Sequence, residues 1–238
     1  MIKNIVFVCI SDTHGLLGTS PDKNASKSIM PKGDVLIHCG DFTNYGEIEG
    51  IRKFKKWLIE QPFKHKILIA GNHDRSFDQI KYPQLYNQMK EEIEDLKNQC
   101  HYLYNNSCII EGYKIWGSPY SLEFCNWAFQ LDPRNAKQFW NQIEEGTDIV
   151  VTHGPSYGHG DLVDNSGNVG DIELLNKIKQ IKPKYHLFGH IHEGYGITEE
   201  KVDENIIKFV NCSSLNEYYK ITNLPYIFEL PQKQNIDI

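Results

Sequence analysis

Cysteine pairs are missing from this chain. Its six cysteines, Cys9, Cys39, Cys100, Cys108, Cys125 and Cys212, include no Cys-x-x-Cys motif, and Cys9 and Cys39 fall inside apolar runs. Buried free thiols in a reducing, cytoplasmic setting are the expectation, not a disulfide scaffold. A basic excess is missing too: 25 lysines and arginines stand against 31 acidic residues, a net charge of -6. That argues against a dedicated nucleic-acid-binding surface. It leaves a nucleotide substrate open, because bound cations can supply positive charge locally. No apolar run reaches membrane length. The run Ile5-Val6-Phe7-Val8-Cys9-Ile10 is too short to span a bilayer and lacks a small-residue cleavage site, so no membrane segment or leader is expected. Internal repeats and low-complexity linkers are absent as well, and nothing assigns a role to Asn235-Ile236-Asp237-Ile238.

What is present is an ordinary globular composition: 238 residues, 40% hydrophobic and 24% charged, enough chain for a sizeable core. Short apolar runs alternate with amphipathic stretches, the pattern of an α/β layered domain. Buried strands are expected at Ile5 to Ile10, Val35 to Cys39, Lys66 to Ala70, Asp148 to Thr152 and Tyr185 to Phe188. Later strands are expected at Cys108 to Ile110, Tyr113 to Trp116, Ile206 to Val210 and Ile227 to Leu230. The turn Glu111-Gly112 would join two of them as a hairpin. Helices are expected over Glu47 to Glu60, Tyr86 to Asn98, Asn135 to Glu145 and Asp171 to Lys179. In the first, Ile48, Ile51, Phe54, Lys55, Leu58 and Ile59 trace one stripe, and Pro62 marks the stop. Asp171 has the place of an N-cap.

Five short motifs share one chemistry: Asp12-Thr13-His14, Gly40-Asp41, Gly71-Asn72-His73-Asp74, Thr152-His153-Gly154 and Gly189-His190-Ile191-His192. Each offers carboxylate, imidazole or amide donors suited to a hard or borderline divalent metal. Each follows an expected strand. Ligands placed at strand ends in this order point to one dinuclear site on a single sheet edge. The motifs run from Asp12 to His192, so one domain over residues 1–238 is the economical expectation.

Taken together, D-x-H, G-D, G-N-H-D, T-H-G and G-H-x-H resemble the calcineurin-like metallophosphoesterase superfamily. The stretches Asp34-Val35-Leu36-Ile37-His38-Cys39-Gly40-Asp41-Phe42-Thr43-Asn44, Lys114-Ile115-Trp116-Gly117-Ser118-Pro119 and Phe124-Cys125-Asn126-Trp127-Ala128-Phe129 resemble its metallophosphoesterase-domain-containing group, also called UPF0046. The resemblance implies the superfamily's four-layer α/β/β/α sandwich. It implies that Asp12, His14 and His192 bind one metal and Asn72, His153 and His190 a second, with Asp41 bridging both. Two such ions typically lie about 3.5–4 Å apart. Mn²⁺ leads as the metal, with Fe or Zn²⁺ as alternatives. A bridging water would lose its proton and attack phosphorus in line. His73 would face the phosphate and stabilise the transition state or protonate the leaving oxygen. Asp74 would orient that imidazole.

Departures within the superfamily narrow the substrate. Ser/Thr protein phosphatases carry G-D-x-V-D-R-G and R-G-N-H-E. Here the matching text is Gly40-Asp41-Phe42-Thr43-Asn44-Tyr45-Gly46 and Ala70-Gly71-Asn72-His73-Asp74. Both arginines are missing, and with them a bidentate phosphate clamp. The tyrosine that purple acid phosphatases place three residues past the bridging Asp is Asn44 here. A phosphodiester, with its smaller charge, is therefore the expected substrate, and the resemblance extends to cyclic nucleotides. A broad phosphomonoesterase is one alternative, and a weakly catalytic nucleotide-binding or scaffold protein another. No partner beyond a small phosphodiester or nucleotide is implied, and the oligomeric state is open.

Other residues carry weaker signals. His38 and His186 lie in strands and read as satisfied core or supporting residues. His65 and His101 read as surface residues. His159 could line the substrate pocket or stand apart from it. Phe129 reads as core, whereas Phe124, Trp116 and Trp127 could pack or stack on a base. Arg75 could meet phosphate or solvent. Asn211-Cys212-Ser213-Ser214 could present a polar loop to the pocket or simply turn the chain, and Lys53 to Lys56 reads as a wet helix face.

Overall fold

The computed structural model describes residues 3–17 and 30–233; Asn235 to Ile238 lie outside the described residues. The chain runs through β1 (Asn4–Ile10), β2 (Val35–His38), α1 (Ile48–Glu60), β3 (His65–Leu68), α2 (Pro83–Lys97), β4 (His101–Tyr102), β5 (Asn106–Ile110) and β6 (Tyr113–Ser118). It continues through β7 (Ser121–Leu122), β8 (Gln130–Leu131), α3 (Pro133–Trp140), β9 (Ile149–Thr152), β10 (Leu162–Val163), β11 (Gly167–Asn168) and α4 (Ile172–Ile181). It closes with β12 (Tyr185–Phe188), β13 (Gly196–Val202), β14 (Asn205–Asn211) and β15 (Tyr226–Pro231).

Two large sheets result, ordered β15-β1-β2-β3-β4 and β13-β14-β12-β9-β6-β5. Their inner strands pair in parallel: β1 with β2, β2 with β3, β6 with β9, and β12 with both β9 and β14. Parallel strands are buried on both faces, which is why they read as continuous apolar runs. Alternating side chains sort into three cores. Phe7, Cys9, Ile37 and Ile67 meet Ile115, Val151, Leu187 and Val210 between the sheets. Val8, Leu36 and Leu68 pack under Ile51, Phe54 and Leu58 of α1 and Ile93 and Leu96 of α2. Val150, Phe188 and Phe209 pack under Trp140 of α3 and Leu174 and Ile178 of α4. The layers are therefore α/β/β/α, the expected four-layer sandwich in one domain.

Local chemistry explains most element ends. Asp171 caps α4 by accepting from the backbone N–H groups of Glu173 and Leu174. Glu111 and Gly112, at φ 50° and 82°, make the tight turn between β5 and β6. α2 starts earlier than expected because Pro83 occupies its first turn, where its missing N–H costs nothing. α3 stops at Trp140, short of the expected Glu145, as the chain turns to bury Ile143 beside it. On α1, Ile59 is exposed and Trp57 takes the buried place. Strand β13 has no counterpart in the sequence expectations: Gly-Ile-Thr-Glu-Glu-Lys-Val is a polar edge strand held by backbone pairing with β14.

All six cysteines are free; Cys9, Cys39 and Cys212 are buried, and burial pushes the Cys9 and Cys39 thiols up. No helix among the described residues is long and apolar enough to cross a membrane.

Candidate metal centre

Strands β1, β2 and β3 of one sheet and β9 and β12 of the other end on the same edge. The loops that follow them carry Asp12-Thr13-His14, Asp41, Asn72-His73-Asp74, His153 and His190-Ile191-His192. Backbone hydrogen bonds lace the loops together: Asp12 N–H donates to Gly40 O at 3.0 Å, and Thr13 and His14 donate to Asp41 O at 2.9 and 3.0 Å. The loops bend so sharply that Asp12, His14, Asp41 and His190 all take positive φ, at 51°, 40°, 56° and 71°. Such backbone is held against its own preference by the surrounding bonds and concentrates at functional sites. Two glycines make room: a Cβ on Gly71 would lie 2.3 Å from Asp41 Oδ1, and one on Gly189 only 2.0 Å from Asp12 Oδ2. No side chain fits at either place.

The donor atoms converge into three groups: Asp12, His14 and His192; His14, Asp41 and His73; and Asp41, His153 and His190. His192 Nε2 lies 3.6 Å from Asp12 Oδ1, His14 Nε2 3.7 Å from Asp41 Oδ2, and His153 Nε2 3.3 Å from the same Oδ2. Asn72 Oδ1 joins the third group, 2.8 Å from His153 Nε2. Two donors bound about 2.1 Å from one ion lie roughly 3.0–3.4 Å apart, close to this spacing. Both ring nitrogens of His14 are buried without a hydrogen-bond partner. An orphaned buried imidazole is costly unless its lone pair has an acceptor such as a metal. The donor set therefore fits divalent cations.

Electrostatics and support agree with that fit. Burial pushes the His14 and His190 imidazoles down to about 4, leaving neutral lone-pair donors. At His153 burial pulls downward, but the Asp41 carboxylate outweighs it and lifts the imidazole to about 9. Burial opposes the charged carboxylates of Asp41 and Asp12, yet His153 holds the first and His192 the second below the usual carboxylate range. His153 Nδ1 contacts Cys39 O at 3.0 Å and His192 Nδ1 contacts Asn216 O at 3.2 Å. These carbonyls take the Nδ1 protons and turn both Nε2 atoms toward the cluster.

His73 sits at the mouth. Its backbone N–H donates to Asp41 Oδ1 at 2.8 Å and its Nδ1 bonds Asn44 O at 2.7 Å. Its ring stacks on Trp127 with centroids 4.1 Å apart. The expected pairing of Asp74 with this imidazole is not what the structure holds. The Asp74 carboxylate is fully buried and accepts from the N–H groups of Asp41, Phe42, Thr43 and Gly71 and from the Thr43 hydroxyl. Five donors saturate it, so Asp74 clamps the Asp41 loop to the Asn72 loop. Burial, followed by the Asp41 charge, pushes it up to about 8.

A profile of the family described as Calcineurin-like phosphoesterase matches residues 5–194, from β1 through the last ligand loop. The chain belongs to the calcineurin-like phosphoesterase family. The human Metallophosphoesterase domain-containing protein 1 is 39% identical to it over 96% of this chain and 72% of its own length. A UPF0046 protein of Caenorhabditis elegans is 36% identical over 96% of this chain and 60% of its own. Among solved structures, phosphopantetheinyl hydrolase (PptH) from Mycobacterium tuberculosis superposes with a TM-score of 0.54 at 16% identity, covering 87% of this chain and 88% of that one. That likeness is one of fold. Family membership makes the chain a metal-dependent phosphoester hydrolase.

Around the centre of this phosphoesterase the remaining residues find definite places. His38 accepts from Gly40 N–H at Nδ1 and meets Thr13 Oγ1 at 3.0 Å through Nε2, and His186 meets Thr152 Oγ1 at 2.8 Å. Both are satisfied core residues supporting the ligand loops. His65 pairs with Glu111 at the surface, and His101 is exposed. His159 stacks on Phe209, 3.6 Å between centroids, and bonds Thr198; it stands apart from the cavity. Trp116 and Phe129 are core. Arg75 lies over Trp127 at 4.2 Å rather than in the cavity. Asn211 to Ser214 neither lines the pocket nor merely turns: Ser213 Oγ donates to Asp12 Oδ2, and Asn211 Nδ2 donates to Ile191 O at 2.7 Å.

Sequence reasoning missed Tyr219. It lines the cavity at φ 56°, its ring edge-on to His14 and His192 at 5.2 and 4.9 Å. Its loop carries no motif, and only the fold brings it there. The cavity as a whole measures about 930 Å³, and no lysine or arginine lines it among the described residues.

Proposed function

We propose that the protein is a dinuclear metal-dependent phosphodiesterase, with residues 1–238 acting as one catalytic domain. The observation that carries this is the position of Asp41, which belongs to donor groups on both sides, one with His14 and His73 and one with His153 and His190. In this reading Asp12, His14 and His192 hold one divalent ion, Asn72, His153 and His190 hold the other, and Asp41 bridges them. Mn²⁺ is the first metal to test. Bound metals of this kind polarise phosphoryl oxygens and make water a nucleophile near neutral pH.

The chain's own residues do the rest. Asn44 O anchors His73 at Nδ1, which leaves Nε2 to hold or deliver a proton at the leaving oxygen. The stack on Trp127 holds that ring in place. That no lysine or arginine among the described residues lines the cavity supports a monoanionic diester over a dianionic monoester, since a dianion needs more counter-charge. Cyclic nucleotides fall within this class.

The test is hydrolysis of bis-p-nitrophenyl phosphate and p-nitrophenyl phosphate by chelator-stripped protein, with and without Mn²⁺. Metal-restored activity favouring the diester is expected. A monoester preference would overturn the diesterase assignment.

A further inference from the structure

The cavity at the metal centre does not end at the phosphate position. Beyond His73 and His190 its lining includes an apolar set, Leu122, Phe124, Trp140, Leu174, Val163 and Val169, here called the arm, with Ser121, Glu123, Ser166 and Asp171 among them. These side chains come from the loop around β7, the end of α3, the start of α4 and the β10–β11 hairpin. Phe124 is 65% exposed and Val169 37% exposed. Trp140 and Leu174 are core side chains at the floor, whereas Phe124 and Val169, with half-buried Leu122 and Val163, leave apolar surface facing the cavity, the mark of a binding surface. The arm's buried carboxylate is already occupied: Asp171 Oδ1 caps α4, and its Oδ2 accepts from Trp140 Nε1 at 2.6 Å. Among the described residues no lysine or arginine lines the arm, so no cationic side chain there meets a second anionic group. Its volume, about 930 Å³ with the metal end included, is near the top of the roughly 300–1,000 Å³ range of small-molecule sites.

The geometry points to a substrate class: phosphodiester monoanions in which one ester alcohol is apolar and uncharged, that group lying in the arm while phosphorus lies beside Asp41. This rests on the phosphodiesterase reading. Hydrolysis forms one P–O bond from water and breaks one P–O ester bond, giving a phosphomonoester and a free alcohol that takes up the proton. Within the diesters, alkyl, aryl or acyl-bearing esters come ahead of hydroxyl-rich cyclic nucleotides, because the arm removes their apolar surface from water.

Two measurements on the Mn²⁺-loaded protein separate this inference from the reading beneath it. Calorimetric binding compares dimethylphosphinate with hexyl(methyl)phosphinate, uncleavable monoanions that differ only in the chain. Turnover compares methyl with hexyl p-nitrophenyl phosphate. A fully buried methylene is worth about fourfold in affinity, so even partial burial makes the hexyl phosphinate at least about tenfold tighter, and the hexyl diester has the lower KM. Val163→Asp with Val169→Asp, on an exposed hairpin, and separately Phe124→Glu, shrink the hexyl-to-methyl ratio. Equal affinity for the two phosphinates overturns the arm. A hexyl preference in binding with no turnover of either diester upholds the arm and overturns the phosphodiesterase reading.

Discussion

Ser213 donates its hydroxyl to Asp12 Oδ2 over 2.8 Å, across 201 residues of sequence. His190 N–H approaches the same carboxylate at 3.0 and 3.1 Å, so two loops of the six-stranded sheet aim a candidate ligand carried by the five-stranded one. Outer partners of this kind typically hold about 10–100-fold of metal affinity. Ser213→Ala is expected to weaken Mn²⁺ binding by that order at the Asp12–His14–His192 site. Calorimetric titration of the metal-free protein reads it. Unchanged affinity would mean that the serine only packs.

His73 is anchored through its backbone and Asn44, and its ring lines the cavity with a nitrogen grouped with the donor atoms of His14 and Asp41. His73→Ala should leave two metals per chain by elemental analysis and lower kcat by about 10²–10⁴-fold, the usual worth of a general acid. Loss of metal with the side chain would make it a ligand instead.

Asp74 gives a contrasting outcome. Removing its carboxylate leaves the N–H groups of Asp41, Thr43 and Gly71 buried without an acceptor, at about 1–3 kcal/mol each. Asp74→Ala is expected to lower stability in urea by about 3 kcal/mol or more and to release metal together with activity. Asp74→Asn, which keeps an acceptor, should lose less. A variant of normal stability with only a shifted pH profile would restore the pairing of Asp74 with His73.

His38 predicts acid sensitivity. Burial pushes its imidazole down to about 3 in the folded chain, against roughly 6.5 when unfolded. Below about pH 6.5 the unfolded chain binds the proton and the folded chain does not, so stability falls with pH until the folded value is reached. Between pH 7.5 and 5 this one residue accounts for about 2 kcal/mol. Metal-free His38→Gln should show a correspondingly smaller drop in its urea midpoint. An identical pH dependence would remove His38 as the cause.

Much of this architecture was legible in the sequence because parallel strands buried on both faces write themselves as apolar runs, as at Val35 to His38 and Ile149 to Thr152. Each motif then falls where such a run stops, and the donor groups around Asp41 gather the residues the motifs named. The polar edge strand Gly196–Val202 was hidden because backbone pairing, not side-chain burial, makes it. Asp74 read as a partner of its neighbour His73, since adjacency in sequence says nothing of which way two side chains point. Its real partners, Asp41 to Thr43, lie one loop away. Tyr219 comes from a segment without a motif, so only the fold brings it to the centre.

Anomalous scattering from crystals soaked in Mn²⁺ tests the dinuclear centre most directly. Two peaks about 3.5–4 Å apart are expected on either side of Asp41, one against Asp12, His14 and His192 and the other against Asn72, His153 and His190. A single peak, or a pair that Asp41 does not touch, would contradict it.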